Sequence, residues 1–172
     1  SYFCGSMCIP CELRLRTLDK EETLTVWPVR EVETLFRHEQ MPVYEKLEPG
    51  SLDLGVRRPG AQWLEFFVEA AGDSLFTLSL FGMGVEVNLA ENAVRCMDKT
   101  MPIHMRDGKI HLLILADAMG FEIFSGEGQS FLCMGFVSDY SLGHLELRVD
   151  AGRLERVSGR LAVLESVWPK NK

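Results

Sequence analysis

The 172-residue chain has no run of about 18 apolar residues, so no segment of it reads as a membrane-spanning helix. It also lacks a basic excess: 18 Lys and Arg stand against 25 Asp and Glu, a net charge of −7. An acidic chain without a basic stripe repels phosphate backbones, which excludes nucleic acid as the expected partner. No secretory leader is legible. The five cysteines are odd in number, and three of them crowd the first eleven residues. An extracellular disulfide framework would be even and spread out, so free thiols and a cytoplasmic location are expected. There is no G-x-S-x-G elbow for a serine nucleophile. Internal repeats and low-complexity tracts are absent as well.

What is present reads as an all-β domain. A chain of this length buries roughly 70% of its unfolded surface and needs no disulfide staple. Leu24 to Trp27 alternates before Pro28. Val29, Val32, Leu35 and Phe36, three or four apart among charged residues, predict one short amphipathic helix. Strands follow at roughly ten-residue intervals: 51–56, 63–70, 74–81, 84–89, 109–116, 121–124, 130–137, 143–149 and 161–168. The segment 109–116 is nearly all apolar and predicts a central strand. Gly, Asp and Pro mark the turns between them. This pattern predicts a two-sheet antiparallel β-sandwich, of the lectin-like jelly-roll kind, with a short N-terminal linker helix.

Four features could carry chemistry. Cys4, Cys8 and Cys11 form a C-x3-C-x2-C spacing that suits three corners of an iron–sulfur cluster. Pro10 stands where the radical-enzyme motif carries an aromatic, and short strands are the wrong scaffold, so small structural thiols are the simpler reading. No metal or cofactor is expected. Ser125-Gly126-Glu127-Gly128 looks like half a dinucleotide fingerprint, but a strand follows instead of a helix N-terminus, so a hairpin loop is expected. Asp107-Gly108 predicts a two-residue hairpin that pairs Arg106 with Lys109 and Met105 with Ile110, and sets His104 opposite His111. Two such histidines could begin a metal site, although a cross-strand polar pair is the plainer outcome. Finally, Phe121 and Ile123 share one face of their strand, and Glu122 and Phe124 the other. A carboxylate beside an aromatic on a sheet face suits a sugar, so Asp117, Glu122 and Phe124 are the candidate carbohydrate-binding residues. No catalytic constellation is visible.

Three stretches carry a family resemblance. Met7-Cys8-Ile9-Pro10-Cys11-Glu12-Leu13 resembles the M-T-I-P-R-E-L segment of glycoside hydrolase family 32, the β-fructosidases. Trp27-Pro28-Val29-Arg30-Glu31-Val32-Glu33-Thr34-Leu35 resembles that family's R-P-V-R-E-I-E-S-L linker. Ile110-His111-Leu112 through Ala116-Asp117, with Phe121-Glu122-Ile123-Phe124 and Gly126 to Gly128, resembles L-H-L-R-I-x-x-D-R-S-S-V-E-V-F-V-N-D-G. The closing 164–168 is loosely similar to S-L-x-V-W. Asp117-Ala118-Met119-Gly120 departs from D-R-S-S, and Cys11 replaces the propeller strand's arginine.

The resemblance implies a C-terminal module. The family's N-D-P-N-G, R-D-P and E-C catalytic motifs belong to its β-propeller and have no counterpart here, so no catalytic residue is expected. The implied division is 1–18 as the last propeller strand, 19–40 as linker strand and short helix, and 41–172 as the sandwich. The implied partner is the catalytic propeller of the same parent chain. Val29, Arg30, Glu31, Val32, Glu33, Leu35 and Phe36 would form the interface to it. The parent would hydrolyse terminal β-fructosyl bonds with retention. Fructan or sucrose-type sugars are the implied ligands if the module itself binds carbohydrate.

Overall fold

The computed structural model describes residues 8–18 and 20–166. Cys4 and Met7 of the opening run, and Val167-Trp168 of the closing one, lie outside the described residues. Cys11–Leu18 (β1) and Glu21–Pro28 (β2) form a two-stranded antiparallel ribbon of their own. The amphipathic stretch is a single short 3-10 helix, Arg30–Leu35, with Val32 as its buried residue. The remaining strands are Phe36–Gln40 (β3), Val43–Leu47 (β4), Gly50–Val56 (β5), Gln62–Leu80 (β6), Met83–Asn88 (β7), Ala93–Cys96 (β8), Lys99–Pro102 (β9), Met105–Arg106 (β10), Lys109–Ala116 (β11), Gly120–Ser125 (β12), Ser130–Gly135 (β13) and His144–Leu164 (β14). No helix among the described residues is long and apolar enough to cross a membrane.

The result is an antiparallel β-sandwich whose layers share two long strands. The first half of β6 pairs with β11, and its second half with β7. β14 runs beside β6 throughout and also pairs with β5, then β4, then β3. Register shifts interrupt the β6–β14 ladder near Ala151, where the strands pass from one layer to the other. Gly152 sits there at φ +74°, and a Cβ on it would lie 2.5 Å from the Ser74 hydroxyl, so only glycine fits. The segments 63–70 and 74–81, which read as two strands, are therefore one bent strand, and so are 143–149 and 161–164.

Period-2 alternation sorts side chains onto two faces. Leu64, Phe66 and Val68 of β6, Ile110, Leu112 and Ile114 of β11, and Phe121 and Ile123 of β12 point between the layers. They meet Phe76, Val85, Leu147 and Leu154 from the other strands in one continuous core. Each large side chain fully buried there contributes about 1.5–3 kcal/mol. The alternate residues Trp63, Leu113, Leu115 and Phe124 form a second cluster on the outer face, with Val32 and Ala162. Val26, Trp27 and Val29 lie over this second cluster. The ribbon and the 3-10 helix thus roof one outer face of the sandwich.

Candidate functional site

Among the concavities on the roofed face, two stand out by volume. The smaller, about 200 Å³, lies where the β11–β12 turn meets the N-terminal segment. Asp117, Glu122, Gln62, Cys133, Cys8 and Ile9 are among its walls. Asp117 Oδ1 accepts from the Met119 and Gly120 amides at 2.7 and 2.9 Å, an Asx turn that closes the β-hairpin. Glu122 accepts from the Ile9 amide through both carboxylate oxygens, at 3.0 and 3.2 Å. Burial raises the Glu122 carboxyl above the ordinary glutamate value; the Ile9 amide partly offsets this, and the Asp117 charge adds to it. Gln62 is fully buried; its amide nitrogen donates to the Arg58 and Gly60 carbonyls while its Oε1 has no partner. Acceptors therefore predominate in this pocket.

The larger concavity, about 400 Å³, is a groove between the ribbon and the β6–β11 surface. Its centre is His111, held between Trp27 (ring centroids 4.9 Å apart) and Phe67 (4.4 Å, stacked). The ring nitrogen Nε2 lies 2.7 Å from Glu65 Oε1, and Glu65 Oε2 accepts from the Trp63 indole at 3.2 Å. Glu65 is buried, so this network satisfies a carboxylate that would otherwise be costly to desolvate. Phe67 is 41% exposed and presents a ring to solvent. Arg14, Arg16, Arg30 and Glu127 line the rim. Arg16 is ion-paired to Glu127, and Arg14 to Glu12. The ribbon is fixed over the groove by Val26 N–H donating to the Gly128 carbonyl at 2.9 Å. A Cβ on Gly128 would sit 2.1 Å from Val26 O, so this contact requires glycine.

The residues singled out in sequence fare differently. Asp117 and Glu122 do come together in the smaller pocket. Phe124 shares the face of Glu122, as alternation requires, but it is 0% exposed under Trp27 and against Phe131. It offers no ring to a sugar, because a strand distant in sequence covers it. Val32 is buried in this chain's own outer cluster, with Val29 and Phe36 packed beside it. Glu33 pairs with Arg160, whose guanidinium stands 4.5 Å above the Phe36 ring. Arg30, Glu31 and Leu35 are exposed or partly exposed.

The Asp107-Gly108 hairpin forms with the expected register, Met105 to Ile110 and Arg106 to Lys109. The histidines beyond it diverge: His104 lies 2.7 Å from the Ser130 hydroxyl, whereas His111 turns to Glu65. They make no common site, and no group of three or more His, Cys, Asp or Glu that could hold a metal ion exists among the described residues. The Gly126-Glu127-Gly128 stretch is the β12–β13 turn. Sequence reasoning missed the Glu65–His111 pair. Its signal was a lone carboxylate in the apolar run Trp63-Leu64-Glu65-Phe66-Phe67 and a lone imidazole in Ile110-His111-Leu112.

No family model and no curated protein sequence matches the chain. Solved structures do. Exo-inulinase from Aspergillus awamori superposes with a TM-score of 0.82 at 18% identity, over 94% of this chain and 36% of that one. Sucrose-6-phosphate hydrolase from Lactobacillus gasseri gives 0.64 at 17% identity, over 91% and 33%. A glycoside hydrolase family 32 protein from Bifidobacterium adolescentis gives 0.60 at 22% identity, over 94% and 26%. The likeness is one of fold, and the chain spans about a third or less of the length of each of these proteins.

Proposed function

We propose that this chain is the C-terminal β-sandwich module of a family 32 β-fructosidase, non-catalytic in itself, which supports the catalytic propeller of the parent protein. One observation carries the reading. The β1–β2 ribbon stands apart as two strands, and Leu13, Leu15 and Leu24 on its outer side are 66%, 67% and 57% exposed. Leu15 pairs directly with Leu24, so these three share one face of the ribbon, apolar and largely exposed. A two-stranded ribbon is marginal alone and gains stability from a further strand or an apolar cover. The M-T-I-P-R-E-L resemblance assigns β1 to the last propeller blade, which would supply both. The fold likeness to exo-inulinase supports the same assignment.

The reading frame preceding Ser1 tests this directly. It is expected to encode N-D-P-N-G, R-D-P and E-C motifs in that order; an unrelated upstream sequence overturns the proposal. The chain on its own is expected to release no hexose from sucrose, sucrose 6-phosphate or inulin, and turnover by it would contradict the non-catalytic role.

A second reading, carbohydrate binding by the module, is favoured by the groove around His111. An exposed aromatic ring beside ordered carboxylates and guanidinia suits the apolar face and the hydroxyls of a sugar. Titration calorimetry with levan, inulin and sucrose is its measurement. Saturable heat that Phe67→Ala abolishes supports it, and a flat response to all three sugars removes it.

A further inference from the structure

The two sequence-remote cysteines Cys8 and Cys133 lie with their sulfur atoms 3.4 Å apart, at one wall of the smaller pocket. Neither position is accidental within the fold. Cys133 is fixed on β13 directly opposite Glu122 of β12. Cys8 is held by its neighbours: the Ile9 amide donates to the Glu122 carboxylate, and the Pro10 carbonyl accepts from Val29 N–H at 3.0 Å. Cys8 is exposed and Cys133 half-buried, so a small oxidant reaches the pair from solvent. Cys11 points elsewhere and donates to the Ile9 carbonyl at 3.3 Å. No third ligand converts the pair into a metal site among the described residues.

We propose that Cys8 and Cys133 are a reversible redox pair, a disulfide latch that ties the N-terminal segment to β13 and fixes the wall of the Asp117–Glu122 pocket. The co-reactant is a low-molecular-weight disulfide of the glutathione class. The Cys8 sulfur, as thiolate, attacks one sulfur of that disulfide; the mixed disulfide forms, and one small thiolate leaves and is protonated. Cys133 then gives its proton to solvent, and its sulfur attacks the Cys8 sulfur. The protein disulfide forms as the second small thiolate departs. Two protein thiols are oxidised by two electrons and one small disulfide is reduced to two thiols. The sulfurs must approach from 3.4 Å to the roughly 2.05 Å of a disulfide, a shift within reach of the exposed Cys8 side chain. Burial, followed by contact with Cys8, pushes the Cys133 thiol up to about 11, while Lys99 opposes the rise. Cys8, the more exposed of the two, meets the small disulfide first, and Cys133 is the resolving thiol.

The 172-residue chain, equilibrated with reduced and oxidised glutathione and quenched by alkylation, tests the latch. The expected result is two fewer alkylated cysteines than the five present, with a mass lower by about 2 Da before labelling. Peptide mapping should join Cys8 to Cys133, and dithiothreitol should restore all five thiols. Cys11→Ser should leave the link intact, whereas Cys8→Ser and Cys133→Ser should each abolish it. A link mapped to any other pair overturns the proposal, as does accumulation of glutathione on Cys8 and Cys133 without a link between them. The upstream reading frame has no bearing on this result, so the latch and the module assignment stand or fall separately.

Discussion

The inner and outer faces of β11 make an instructive pair. Leu112 and Leu113 are consecutive, both 0% exposed, and point to opposite sides of one sheet. Leu112 belongs to the core between the layers, where every neighbour is held by the sandwich itself. Leu113 belongs to the outer cluster, whose cover comes partly from a ribbon outside the main sheet. Equal burial thus conceals unequal support. The inner face holds the layers together, while the outer face gathers the polar network, both concavities and the attachment of the N-terminal segment. Apolar packing and the polar networks occupy opposite surfaces of the same strands.

The largest expected effect probes that contrast. Leu112→Ala should cost about 2–5 kcal/mol in denaturant unfolding, and Leu113→Ala should fall at the low end of that range because its cover can reseat. Equal losses would mean that the ribbon is as firmly part of the core as the second layer. Next, Glu65→Ala strands the Trp63 indole and the His111 ring in a buried site, at a cost of about 1–3 kcal/mol. Glu65→Gln, which keeps an acceptor, should recover part of this in the same assay.

Glu122 gives a smaller, pH-dependent effect. Its folded carboxyl titrates above the unfolded one, so between the ordinary glutamate value and the raised native value the folded state holds the extra proton. Stability therefore declines as pH climbs through that window and then levels off. Glu122→Gln, still able to accept from the Ile9 amide, should match the parent at low pH and show the higher melting temperature above the window. A melting curve series across pH reads this directly. Smallest of all, Arg153→Ala removes an exposed ion pair with Glu155 and should leave the unfolding midpoint unchanged within error.

Much of the sandwich is legible in the sequence because alternation is a local property. β5, β7, β11 and β12 follow from it, and the Asp107-Gly108 turn was readable residue by residue, since both positions adopt positive φ. Other elements escaped for physical reasons. β3 and β4 are edge segments such as Phe36-Arg37-His38-Glu39-Gln40, too polar to alternate. β6 looked like two strands because Gly72-Asp73 carries turn chemistry, and β14 because residues 150–160 do not alternate, yet each is one continuous bent strand. In the candidate site, Asp117 and Glu122 come from one hairpin and were visible together. The burial of Phe124 by Trp27, and the meeting of Glu65 with His111 across β6 and β11, depend on contacts between distant segments that no local pattern records.

The topology of β14 also sets an order of events during synthesis. Among the described residues, β3, β4 and β5 pair only with β14, the last of the described strands. A nascent polypeptide emerging from the ribosome would carry those three strands without partners until nearly all of the sandwich had been translated. Most of their ladder closure is long-range, which slows folding and leaves open edges for chaperones to shield. A premature stop before His144 would deprive three strands of their partner at once, so a nonsense mutation at that point would damage the earliest-made strands of the sandwich.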